Sequence, residues 1–279
     1  MRSGDNMYMQ EPATLSKSGL LSALMKRLLP RAKAAITKLK KMQRETGTYR
    51  FRGTTEYPAH QFYDTDVFRR CMAVIHTFDR LSDVRRFMRR IPRAEELRSD
   101  NVSQERWVDY HYAYHVVLVS SVYDLSLLLT NSVLRLGLPE RLATADSVKN
   151  NFWSKQQEIT PFLAAIEKAT GSHRSSRNLY LHRGESMDVG DVIGSEEYDM
   201  LTFIAFADAA GSSQLSEPGF LDAAFRVQVD TLLPKLEGEC AELSKLVFAL
   251  FEKLEPIYRS TSSALHSAAR RRTRKKPGA

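Results

Sequence analysis

The chain has 279 residues, 43 % of them hydrophobic and 27 % charged, which is enough to bury one large core or two small ones and excludes disorder anywhere but the ends. Its two cysteines, Cys71 and Cys240, have neither the spacing of a zinc site or redox pair nor the density of a secreted disulfide scaffold, so they read as small buried hydrophobes in a reducing compartment. The formal charge of +8 is uneven: residues 17–52 hold eleven Lys or Arg against Glu45, the last thirteen residues hold six more, and residues 185–242 hold thirteen acids against Arg226 and Lys235. That asymmetry points to a polyanionic partner for the basic parts, with solvated faces as the alternative. For the short tail, a targeting signal is a further reading.

Alternating strand patterns and hairpin dipeptides are nearly absent, and helical spacing runs through most of the chain. A basic amphipathic helix is predicted from Leu15 to about Gln43, with Pro30 as a kink or break. A loop follows over 46–64, containing Gly47, Gly53 and Pro58. The next helix is predicted over about 65–90, with Phe68, Met72, Ile75, Phe78 and Leu81 on one stripe, stopping at Ile91-Pro92. Its end carries Arg85, Arg86, Arg89, Arg90 and Arg93, which suit either an RNA backbone groove or a solvated helix terminus.

The longest candidate helix is Asn101 to Leu136, opened by an Asn101/Gln104 pair at capping-box spacing and stopped by Gly137. It is apolar on most faces, as in the middle of a bundle. Its apolar run, 116–129, falls short of the roughly 20 residues of a membrane span and contains Asp124. Asp124 must find a partner if buried, and faces water otherwise. On the same helix His111 and His115 stand at i and i+4 near Asp109, a spacing two metal ligands could use. No further ligand has a recognisable spacing and aromatics crowd the segment, so the rings read as packed or hydrogen-bonded, with no metal expected.

A shorter segment, 146–159, leads to Thr160-Pro161, which opens a helix that ends at Gly171-Ser172 or continues to Gly184. Another helix starts near Ser195, and a long last helix or helix pair covers about 218–269, with Pro234, Gly238 and Pro256 as bends. With no signal-like apolar segment at the start, these elements describe an all-α bundle with a long central antiparallel helix pair, expected to be soluble and cytoplasmic.

The stretch "RNLYLHRG" (177–184) carries the candidate chemistry. Arg174, Asn178 and His182 follow at steps of four and share a stripe on a helix. Arg177 lies five residues before His182, roughly 140° around the axis and about 7.5 Å along it, within reach of a long guanidinium side chain. His182 falls in the last turn before a glycine, where helix carbonyls favour a positive ring. A guanidinium that holds a phosphate beside an imidazole that transfers a proton suits phosphodiester chemistry. Spacing by itself is weak, since Arg106 and His111 repeat it.

With Asn178 directly after Arg177, the stretch resembles the signature of the HEPN family, a helical bundle carrying Arg, a polar residue and a His four to six residues beyond the Arg. The resemblance covers about 101–260, and the chain is divided into a basic N-terminal helical region (1–100), a HEPN-like helical bundle (101–265) and a basic disordered tail (266–279). It implies a metal-independent endoribonuclease of the kind found in defence and toxin systems, acting without a cofactor, with Arg177 on the scissile phosphate, His182 transferring the proton and Asn178 positioning one of them. Arg174 and Arg183 flank the motif as candidate substrate-binding cations, and Asp124 would orient the arginines if its helix lies against theirs. RNA cleavage through the 2′-OH needs a base and an acid, and one motif supplies one histidine, so a homodimer with a shared site is expected. RNA and an antitoxin or other defence protein are the partners implied, and no membrane. The other reading is a non-catalytic helical adaptor that binds nucleic acid or a partner protein through its basic regions.

Overall fold

The computed structural model describes residues 15–47, 58–98, 102–183, 189, 196–209 and 219–274. The elements are α1 (Gly19–Thr46), α2 (Ala59–Arg89), α3 (Ala94–Arg98), α4 (Gln104–Leu134), a 3₁₀ turn (Glu140–Leu142), α5 (Ala145–Lys149), α6 (Phe152–Gln156), α7 (Thr160–Arg183), α8 (Glu196–Ala209) and α9 (Phe220–Arg274). No strand occurs among the described residues, so the protein is all-α.

Local signals set most helix ends. Ser18 caps α1 by accepting from the Leu21 amide, and Gly47 ends it at φ 67°, a left-handed conformation that glycine adopts without steric cost. α4 is capped by Ser103, whose hydroxyl accepts from the Arg106 amide; Asn101 lies outside the described residues, and Gln104 instead donates to the Pro92 carbonyl. Thr144 and Ser147 form a reciprocal capping box on α5, and Asn151 caps α6, so the predicted single segment 146–159 is two short helices. Where the sequence left a stop or a bend open, the helices run on. α1 continues through Pro30, α7 through Gly171, and α9 through Pro234, Gly238 and Pro256, reaching Arg274. α2 begins directly after Pro58, earlier than predicted.

The buried stripe of α2 is Tyr63, Val67, Cys71, Val74, Phe78, Leu81 and Met88, with Phe68 and Met72 only half-buried. The spacing read from the sequence was right and its register partly rotated. Both cysteines are buried thiols.

The described chain forms two compact units, each discontinuous in sequence, and the boundaries fall inside α2, α4, α7 and α9. The first contains 76–123 and 165–245. In it Tyr180 lies by Trp107 and Tyr110, His173 by His115, and Arg174 over Tyr123, so α7 runs antiparallel to α4. Phe78, Val108, Val116, Tyr123, Tyr198, Phe225, Leu232 and Cys240 make its core.

The second unit contains 15–75, 124–164 and 246–274 of the described chain. Its anchor is Asp64 on α2, fully buried, which accepts hydrogen bonds from Tyr258 (3.0 Å), Ser262 (2.8 Å) and His266 (2.8 Å), all on α9. Tyr63 donates to the Val133 carbonyl of α4 at 2.9 Å, tying a third helix to the same point. α1 joins through Gly19, whose amide donates to Glu252, and Arg27, which donates to Ser263. Beyond Leu24, α1 buries nothing, and Lys33, Lys38, Lys40, Lys41 and Arg44 are exposed.

α4 spans 31 residues and is, by length and composition, apolar enough to cross a membrane, a test the 14-residue run in the sequence failed. Within the protein 61 % of that apolar window is buried, as in the central helix of a bundle.

Candidate active site on the antiparallel helix pair

The motif occupies the last two turns of α7. His182 and Asn178 are exposed and Arg177 is half-buried, its guanidinium 3.4 Å from the Asn178 side-chain oxygen. Guanidinium and imidazole therefore come from one helix end with the ring open to solvent, as proton transfer to a substrate requires. Arg174 is placed differently: its guanidinium carbon lies 5.0 Å from the centroid of the buried Tyr123 ring, a cation–π contact that binds α7 to α4. The side chain of Arg183 lies outside the described residues. Asp124 is half-buried on α4, next to Tyr123, and belongs to the second unit.

One turn before Arg177, His173 shares the carboxylate of Glu239 on α9 with His115 on α4, at 3.2 and 3.5 Å. The two rings lie 6.0 Å apart, nearly perpendicular. Burial lowers the pKa of His115, with the hydrogen bond to Glu239 and its charge pulling the other way, and the ring's Nδ1 has no hydrogen-bond partner. Burial works to raise the Glu239 pKa, but the hydrogen bonds from both imidazoles and their charges outweigh it and hold the carboxyl at about 2. This clamp joins the three helices that carry and support the motif. His173 and Glu239 escaped sequence reading: Glu239 is one of thirteen acids in its region, and only the i, i+4 relation of His173 to Arg177 gave a local hint.

His111 takes other partners. Its ring stacks on Phe87 and meets Trp107 and Tyr110 edge-on, and burial lowers its pKa. The two histidines thus serve packing and hydrogen bonding, and no group of three metal-ligating side chains occurs among the described residues. The arginine run on α2 is largely engaged as well: Arg89 pairs with Glu237, Arg86 with Asp83, and Arg85 is buried beside Ser82. Arg90 and Arg93 remain exposed.

Exposed apolar side chains occur within the motif and on α8. Leu179, Tyr180 and Leu181 on α7, and Met200 and Phe203 on α8, are all exposed, Leu181 by 56 % and Phe203 by 60 %. Beside Tyr180 a groove of about 440 Å³ is lined by Val102, Arg106, Trp107, Asp109, Tyr110 and Ala113.

The Arg-Asn-x3-His segment thus lies at an exposed end of α7, which pairs antiparallel with α4 and is joined with it to α9 through the half-exposed carboxylate of Glu239. Residues 73–202 match the family model HEPN_Cthe2314-like HEPN, and across that span the chain carries a domain of the HEPN family. The match takes in α4, α7 and the whole motif. No curated protein and no solved structure matches the chain.

Proposed function

We propose that the protein is a metal-independent endoribonuclease that works as a homodimer, of the kind that serves in defence or toxin systems. The reading rests on one observation: Arg177 and His182 come from the same end of α7, with Leu179, Tyr180 and Leu181 exposed between them. In this reaction the 2′-hydroxyl attacks the adjacent phosphorus as a base takes its proton, and the P–O5′ bond breaks as an acid returns a proton to the leaving oxygen. The products are a 2′,3′-cyclic phosphate and a 5′-hydroxyl. Arg177 holds the phosphate and stabilises charge that develops on its oxygens, with Asn178 steadying the guanidinium. His182 is one proton-transfer group, and His182 of a second copy is the other. An isologous dimer brings the same patch together from both chains, and Leu179, Leu181, Met200 and Phe203 supply the apolar surface such a contact needs. The exposed lysines of α1 and the basic end of α9 give long RNA further phosphate contacts.

The test is incubation with single-stranded RNA in EDTA. Wild type should cut and leave cyclic-phosphate ends, and His182→Ala and Arg177→Ala should each lose activity by about 100-fold or more. If wild type is as inactive as both variants yet still binds RNA, the protein is the non-catalytic adaptor, acting through its exposed basic helix. If all three cut equally, the chemistry lies elsewhere.

A further inference from the structure

Beyond Leu24, α1 continues for about six turns without a buried residue. On those turns Met25, Leu29, Ala32 and Ile36 follow at steps of four, three and four, which keeps them within about 60° of one another around the axis. All four are exposed, Met25 by 42 %, Leu29 by 45 % and Ile36 by 51 %. Leu28, Leu39 and Met42 widen the same face and are half-buried. Cations border it: the spacing puts Lys33 and Lys40 on one edge, Lys38 on the other, and Lys26 and Arg44 toward the opposite side. These five are exposed and pair with no acid among the described residues, the single acid of the segment, Glu45, being held by Lys41 at 3.7 Å.

We infer that this part of α1 is a membrane-surface helix, which lies in the interface of an anionic bilayer with Met25, Leu29 and Ile36 among the acyl chains and its lysines at the headgroups. A lysine stem runs along apolar surface while its ammonium group reaches outward, so cations at the edges of an apolar face suit a plane where hydrocarbon gives way to charge. Binding then draws on both the buried apolar side chains and the attraction to anionic lipid. With eight Lys or Arg between residues 26 and 44, the helix lies on the bilayer and does not cross it. Other occupants satisfy half of the helix. RNA phosphates would engage the lysines, as in the ribonuclease reading, and leave Leu29 and Ile36 in water. A second copy of α1 would cover the apolar face and bring lysines against lysines. The HEPN match begins at residue 73, so the absence of a membrane partner, which that resemblance implied, does not extend to α1. The inference is independent of whether the protein cleaves RNA.

Co-flotation of the full chain with lipid vesicles is the test. Wild type should float with vesicles of phosphatidylcholine and phosphatidylglycerol, stay behind with vesicles of phosphatidylcholine alone, and float less as salt is raised. Leu29→Glu with Ile36→Glu touches no buried residue, so helical content should hold while vesicle affinity falls by about tenfold or more. Lys33→Gln with Lys40→Gln should weaken vesicle binding by about tenfold or more, since each cation near the surface contributes about fivefold. A wild type that does not float with the anionic vesicles overturns the inference. If such a wild type loses subunits in light scattering on Leu29→Glu with Ile36→Glu, the face is a contact between copies. Unchanged flotation of the Leu29→Glu, Ile36→Glu variant also overturns the inference, because charge alone then holds the vesicle. Where that variant keeps vesicle binding and loses affinity for RNA, the face belongs to nucleic acid.

Discussion

Replacing Asp64 with alanine tests the account of the second unit most directly. The carboxylate is fully buried and accepts three hydrogen bonds from α9. Two of those donors, Tyr258 and Ser262, are only 1 % exposed and so cannot turn to solvent when the acceptor goes. Each orphaned donor costs about 1–3 kcal/mol, and breaking a buried charged pair costs about 3–5 kcal/mol in all. His266, partly exposed, can recover a bond to water, so the expectation is near the middle, about 4 kcal/mol. That lowers the melting temperature by about 10 °C in a chain of this size. Asp64→Asn keeps one acceptor oxygen and the shape of the side chain, at about half that cost. Asp79→Asn, on the exposed face of the same helix, should stay within about 0.5 kcal/mol. Urea unfolding followed by circular dichroism measures all three. A loss below about 1 kcal/mol for Asp64→Ala would refute the reasoning, because it would mean that the three donors do not depend on this carboxylate.

Acid should weaken the protein progressively. Burial lowers the pKa of both His111 and His115 in the fold, so below about pH 6.5 the unfolded chain takes up protons that the folded one refuses, and stability falls. Glu239, held at about 2, adds stability that is present above its unfolded pKa and is lost as pH falls from about 4.5 toward 2. Urea midpoints at pH 7, 5.5 and 4 should therefore decline in order, and a rise between pH 7 and 5.5 would contradict this. Glu239→Gln should be less stable than wild type at pH 7, with the gap closing toward pH 2 as the wild-type carboxyl is protonated. Arg174→Ala should cost about 1 kcal/mol of stability through the lost contact with Tyr123, and should reduce RNA cleavage far less than Arg177→Ala does. Leu181→Glu and Phe203→Glu should convert a dimer to monomers in light scattering and reduce cleavage, while leaving the helical content unchanged.

The sequence by itself determined what depends on neighbours a few residues apart. Helical periodicity, the Thr160-Pro161 start and the spacing from Arg177 to His182 are local patterns; the fold class followed from the periodicity, and the motif from the resemblance of its residues to the HEPN signature. Even locally, a proline or glycine marks only a cost, and packing on both sides of it carried α7 through Gly171 and α9 through Pro256. Tertiary structure decided which polar groups meet. The partners of Glu239 lie 124 and 66 residues away in His115 and His173, and Asp64, inside a predicted loop, finds His266 at a distance of 202. It also decided that the chain folds as two discontinuous units. No spacing rule reaches across such separations, because the donors to a carboxylate come from whichever helix packs beside it, and chain folding brings that helix there.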